Sequence, residues 1–170
     1  LTVAQVGYAQ VIRTHNSLGR VTGEAYLDEF GKPILIQDGY ASFSRQYDGL
    51  GNVCEETYFG SAGVPVVSTK GYARVAFLYS PERKLIQEQY FDAQDQPIVI
   101  GEGYATLVRS YDKSGNMTEE AYLDASGQLV IRQKSGYAKV LRKYDGNNKV
   151  TWEMYYDQQD QPVLISSGYA

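Results

Sequence analysis

The sequence predicts an all-β fold: tandem β-hairpin repeats of about 32 residues, stacked into an elongated solenoid or superhelix, with a closed barrel as the lesser alternative. Three observations carry this. The tripeptide Gly-Tyr-Ala begins at Gly7, Gly39, Gly71, Gly103, Gly136 and Gly168, in steps of 32, 32, 32, 33 and 32 residues. The 16 tyrosines fall almost wholly into three repeating columns. The composition, with 17 Gly beside one Trp, one His and two Met, suits many short strands joined by tight turns.

Each unit reads approximately GYA-x-Φ-x-R-x-YD-x-x-GN-Φ-x-x-E-x-Y-Φ-D-x-x-G-x-P-Φ-x-Φ, where Φ is apolar. The first stretch, for example Tyr104 to Tyr111, alternates apolar and polar residues as a half-buried strand does. Asp112-Lys113-Ser114-Gly115 follows as a hairpin turn, because Asp bonds backbone N–H groups ahead of it and Gly accepts a positive φ. Asn116 to Leu123 alternates again and gives the second strand. A second turn comes next, at Asp28-Glu29-Phe30-Gly31, Asp92-Ala93-Gln94-Asp95 and Asp124-Ala125-Ser126-Gly127. It leads into a short apolar third strand such as Ile98 to Ile100, which Pro33, Pro65, Pro97 or Pro162 opens at a position where a missing donor is tolerated. The glycine of the next Gly-Tyr-Ala lets the backbone bend.

These marks define one array over 1–170, with units 7–38, 39–70, 71–102, 103–135 and 136–167 and partial units 1–6 and 168–170. Repeat arrays end in atypical polar caps, and neither terminus reads as one, so the array is expected to be cut from a longer protein.

Tyrosine occupies the Gly-Tyr-Ala column six times. It fills a second column at Tyr47, Tyr79, Tyr111 and Tyr144, and a third at Tyr26, Tyr58, Tyr90, Tyr122 and Tyr155, leaving Tyr156 outside. Two charged columns accompany them: Arg13, Arg45, Arg109 and Arg142 on the first strand, and Glu24, Glu56, Glu88, Glu120 and Glu153 on the second. Pairing across the turn puts these on one face, each arginine diagonal to the glutamate of its own unit, as a partly buried ladder that holds repeats in register. Phe77 stands in the arginine position of the third repeat and interrupts the ladder. The column tyrosines read first as intersheet or inter-repeat core; the alternative is that one column lies exposed, and the third is then the candidate ligand-binding row, because a planar ring with a hydroxyl suits stacking on a sugar or gripping a protein.

With 16 basic and 20 acidic residues the net charge is −4, which leaves no excess of cations to neutralise phosphates, so no nucleic acid partner is expected. Cys54 is the single cysteine, expected as a small buried hydrophobe, and excludes an intrachain disulfide or a cysteine metal cluster. No apolar run is long enough to span a bilayer as a helix, and the first residues lack the basic and apolar regions of a signal peptide, so no membrane insertion is expected. A glutamate repeated in every unit specifies the unit, whereas a glycosidase needs one pair of acids in one cleft. Nucleophile, phosphate-loop, dinucleotide and zinc motifs are absent from the sequence, so the chain is read as not an enzyme, with no cofactor and no metal. The turn aspartates Asp28, Asp48, Asp92, Asp112, Asp124, Asp145 and Asp157 come one to a turn rather than clustered as in a calcium loop, and turn formation accounts for them. His15 takes a tyrosine position of the second column and reads as a structural substitute.

The turns Tyr47-Asp48-Gly49-Leu50-Gly51-Asn52 and Tyr111-Asp112-Lys113-Ser114-Gly115-Asn116 resemble the tyrosine–aspartate repeats of RHS-type bacterial surface and toxin-shell proteins. The resemblance covers about a third of each unit. The Gly-Tyr-Ala and Gly-x-Pro elements and the longer period depart from that family. It implies β-strands wrapped into shells or filaments on or outside a bacterial cell. The array is also distantly similar to the aromatic hairpin repeats of Gram-positive cell-wall-binding modules, whose tryptophan cages Trp152 alone does not reproduce. The resulting expectation is a non-catalytic repeat module of a bacterial surface or secreted protein that binds polysaccharide or cell wall, including as the accessory region of a larger enzyme. The alternative is a protein-interaction or spacer scaffold.

Overall fold

A computed structural model describes residues 7–165. The partial units expected at 1–6 and 168–170 lie outside the described residues. Ten strands follow one another: β1 (Gln10–His15), β2 (Val21–Leu27), β3 (Ser42–Tyr47), β4 (Val53–Phe59), β5 (Arg74–Tyr79), β6 (Leu85–Phe91), β7 (Thr106–Tyr111), β8 (Met117–Leu123), β9 (Lys139–Tyr144) and β10 (Val150–Tyr156). All described pairings are antiparallel and none of the described residues is helical. The chain divides into two compact units, Leu1–Ala76 with Phe91–Gln96, and Phe77–Tyr90 with Pro97–Ala170.

In the first unit β1 to β4 and the start of β5 pair in chain order, and in the second β6 to β10 do the same. The expected open array of hairpins is therefore present in both. The first, second, fourth and fifth hairpins pair along nearly their whole length, as in Ser42–Phe59 through Gln46–Glu55, and a bulge beside the turn then shifts the register, in the second at Tyr47. Between repeats the pairing is short, such as Gly23–Ser44, Glu24–Phe43 and Ala25–Ser42.

Three tight turns recur in each of the first four units, with the same backbone bonding in all but the last turn of the fourth. In the fourth repeat the Asp112 N–H donates to the Asn116 carbonyl at 2.9 Å and the Gly115 N–H to the Asp112 carbonyl at 3.0 Å, with Gly115 at φ 83°. The Asp112 carboxylate accepts from the N–H groups of Ser114 and Asn116, both at 2.9 Å. Asp124 repeats this arrangement with Gln128 and Gly127. The third turn runs from Ile100 to Tyr104, and its left-handed residue is Gly103 at φ 94°, which is why a glycine opens the Gly-Tyr-Ala element.

The closing segment is not the third strand that the sequence predicted. It makes a single bridge, as at Leu27–Pro33, Phe59–Pro65 and Leu123–Leu129, plus one bond such as Val130 N–H to the Tyr122 carbonyl at 3.0 Å. The reason is room: enclosed between two tight turns, the segment reverses before it can pair further.

Alanine of Gly-Tyr-Ala ties each repeat to the one before. Ala41 donates its N–H to the Phe59 carbonyl in its own hairpin and accepts from the Tyr26 N–H of the preceding one, at 2.7 and 2.8 Å. Ala105 and Ala138 do the same and are fully buried, so the backbone closes on a position with no space for a larger side chain. The core of the first unit is Tyr26, Tyr40, Phe43 and Tyr58, with Val11, Val21, Ile36 and Val66 packed around them. In the second unit Tyr90, Tyr104, Leu107, Tyr122, Val140 and Tyr155 are buried.

Candidate functional site

The recurring side chains lie on the face of the sheet that carries the core. Arg45 stands directly opposite Glu56, Arg13 opposite Glu24, Arg109 opposite Glu120 and Arg142 opposite Glu153. The diagonal geometry expected from the sequence is corrected by the bulge next to the turn, which slips the second strand by one residue and brings each pair face to face. The guanidinium Nε atoms of Arg13, Arg109 and Arg142 donate to their glutamates at 2.7, 2.9 and 2.6 Å, and Arg45 bonds Glu56 likewise.

Every column glutamate also accepts from the tyrosine two residues ahead on its own strand. Tyr26 reaches Glu24 at 2.7 Å, Tyr122 reaches Glu120 at 2.6 Å and Tyr155 reaches Glu153 at 2.9 Å, while Tyr58 and Tyr90 bond Glu56 and Glu88. The unit of construction is therefore a tyrosine–glutamate–arginine triad. In the third repeat Phe77 replaces the arginine, and among the described residues Glu88 has no ion-pair partner. Burial, reinforced by the bond to glutamate, pushes the hydroxyls of Tyr26, Tyr58, Tyr90 and Tyr122 well above the usual tyrosine range. Burial alone would raise Glu24, but the Tyr26 hydroxyl and Arg13 together hold its carboxyl below the ordinary value. For Glu153 the Arg142 guanidinium is the main cause of the same lowering.

The candidate ligand-binding row is not an open row. Tyr26, Tyr58, Tyr90, Tyr122 and Tyr155 are exposed to only 8, 1, 6, 2 and 8%. Their rings interleave with those of the Gly-Tyr-Ala column. In the first unit the order is Tyr8, Tyr26, Tyr40, Tyr58 and Tyr72, with centroids 4.9, 6.0, 4.6 and 5.8 Å apart. In the second it is Tyr90, Tyr104, Tyr122, Tyr137 and Tyr155, at 6.0, 5.0, 6.0 and 5.0 Å. Spacing shows which residues share a face but not that two columns from neighbouring repeats mesh, so ring faces taken as available for a ligand are spent on each other.

Other contacts had no sequence signal. Tyr47, Tyr111 and Tyr144 donate to the carbonyls of Val21, Leu85 and Met117 in the preceding hairpin, at 2.7, 3.0 and 2.9 Å. Lys70 bonds the Tyr58 hydroxyl at 2.6 Å, and Arg132 bonds Glu102 and lies over the Tyr122 ring. On the opposite face Arg74 joins Glu55 and Asp95 and stacks on Phe91, its guanidinium carbon 3.7 Å from the ring centroid. Cys54 is half-buried and free, its thiol pushed up by desolvation. His15 is exposed on β1.

Two open hollows lie beside the turns, one of about 610 Å³ against Lys84, Tyr111 and Lys113, the other of about 420 Å³ against Glu55, Arg74 and Asp95. Part of their polar lining is already engaged: Lys84 sits over the Tyr111 ring and Arg74 holds both acids. The turn aspartates spend oxygen on backbone N–H groups. Asp48, Asp112 and Asp124 are held below the usual carboxylate range first by side-chain bonds from Asn52, Asn116 and Ser126. Among the described residues no three His, Cys, Asp or Glu side chains are grouped to hold a metal ion.

Fold and site together define a tandem β-hairpin repeat module. No protein-family model matches the chain, and no curated protein matches it. Among solved structures it is similar to a chain in the crystal structure of TcdB2-TccC3-Cdc42, with 13% sequence identity and a TM-score of 0.35, over 85% of this chain. The match spans 7% of that chain's length.

Proposed function

We propose that the chain is a non-catalytic structural repeat module: a scaffold or wall segment within a larger chain, offering its outer surfaces to protein contact or spacing. The observation that supports this is the internal use of its recurring chemistry. Tyrosine, glutamate and arginine, the residues best suited to a ligand, bond one another inside the repeat and between repeats. A side chain buried and bonded in every unit fixes the unit and offers nothing to a ligand. The polysaccharide reading loses the rings on which it rested, because stacking on a sugar needs an uncovered ring face. A location at or outside a bacterial surface follows from the tyrosine–aspartate resemblance and belongs to the same proposal.

Binding to purified bacterial cell walls and to a glycan array, followed by Trp152 fluorescence, tests this reading. No saturable binding is expected. Saturable binding displaced by a defined sugar would overturn the scaffold reading and return the chain to the carbohydrate-binding class.

A further inference from the structure

The third repeat is fastened differently from its neighbours at several independent points, all within Phe77–Tyr90. It lacks the column arginine, so among the described residues Glu88 keeps its bond from Tyr90 and has no ion-pair partner. Its hairpin turn begins at Ser80 instead of Asp, and the neutral hydroxyl accepts from Glu82 and Lys84 at 3.2 and 3.3 Å, where the Asp112 carboxylate accepts at 2.9 Å. The left-handed position that Gly19, Gly51 and Gly115 fill elsewhere is taken by Arg83 at φ 62°, a conformation that a long side chain adopts only against steric resistance. Pro81 presets the first corner of the turn, so the weakness lies in the strands beneath the tip. Pro81, Glu82, Arg83 and Lys84 are all exposed.

We propose that this hairpin opens locally before the others, and that its tip is a processing site: the peptide bond after Arg83 or Lys84 is the first that a protease of basic specificity cuts in the folded chain. Such a protease needs an extended stretch of chain on both sides of the bond, so a hairpin must open before it is cut. Water adds across the Arg83–Lys84 or Lys84–Leu85 peptide and leaves a carboxylate and an amine, with no other reactant. Tip position alone does not select the site, because Arg20, Lys113 and Lys149 also stand at or beside hairpin turns. What separates them is the strands beneath: those hairpins carry the Arg13–Glu24, Arg109–Glu120 and Arg142–Glu153 pairs.

Limited trypsin digestion of the 170-residue chain, with the first fragments identified by mass, tests this. The first cut is expected after Arg83 or Lys84. Phe77→Arg, which supplies a guanidinium at the repeat position from which Arg109 reaches Glu120, is expected to slow that cut about tenfold with both basic residues still in place. Arg109→Phe, which gives the fourth hairpin the face of the third, is expected to bring forward the cut after Lys113. Circular dichroism first establishes that each variant is folded. A first cut after Arg20, Lys113 or Lys149 in the unaltered chain overturns the proposal, as does an unchanged rate in folded Phe77→Arg.

Discussion

Phe77–Tyr90 of the third hairpin and the whole of the fourth lie in the same compact unit, and each places a tyrosine, Tyr90 or Tyr122, in the interleaved column with its hydroxyl on a glutamate two residues back. They differ in what lies across from that glutamate and in the turn above it. The fourth has Arg109 on Glu120, an aspartate at the turn and Gly115 in its left-handed position; the third has Phe77, Ser80 and Arg83. Both nevertheless form a hairpin of the same length in the same register with its neighbour. The column tyrosine, its glutamate and the apolar alternation are thus enough to set the shape. Arginine, turn carboxylate and glycine add strength.

Alkali attacks what the two hairpins share. Tyr90 and Tyr122 keep their protons in the folded state beyond the ordinary tyrosine pKa, through burial and then the bond to glutamate. A folded-state pKa above the unfolded one gives stability that is complete below about pH 10 and is lost as pH rises further. Phenolate absorbance from the column tyrosines and loss of the strand signal should therefore rise together in an alkaline titration. Ionisation of these tyrosines with the sheet intact would contradict the triad.

Removing the ring is the largest single-residue effect expected. Tyr122→Ala empties a site only 2% exposed and packed between Tyr104 and Tyr137, and should cost about 3–5 kcal/mol in denaturant unfolding. The comparison sharpens at the glutamates. Glu120→Gln breaks a triad whose carboxylate also holds Arg109, and should cost about 2 kcal/mol, whereas Glu88→Gln, with no arginine to strand, should cost less than about 1 kcal/mol. Equal losses would show that the arginine adds nothing. The smallest effects are gains: Arg83→Gly relieves the left-handed strain and should stabilise by about 0.5–1 kcal/mol, net of the greater backbone freedom of glycine in the unfolded chain. Asn148→Gly, at φ 60° in the corresponding turn of the fifth repeat, should gain less because asparagine tolerates this conformation better.

Period, hairpins and turns were legible because each rests on local chemistry. Asp112 and Gly115 form their turn from bonds within five residues, and the alternation in Thr106–Tyr111 and Met117–Leu123 is readable at any single unit. The arginine and glutamate columns were also visible, but their face-to-face pairing was not, since a bulge of one residue changes the partner without changing the pattern. The closing segment misled for a related reason. The short apolar run from Ile98 to Ile100 describes a strand, but a strand needs a neighbour, and the turns on either side leave length for only a bridge of the kind seen at Leu123–Leu129.

The period, the two aspartate turns and the residues that share a face follow from sequence alone, because these depend on φ preference and on a side-chain period of two. Tertiary structure decided whether the tyrosines face solvent or one another. That depends on how closely neighbouring hairpins approach, and Ala41 and Ala105, tied to two strands at once, bring them near enough for the two tyrosine columns to mesh into one buried stack.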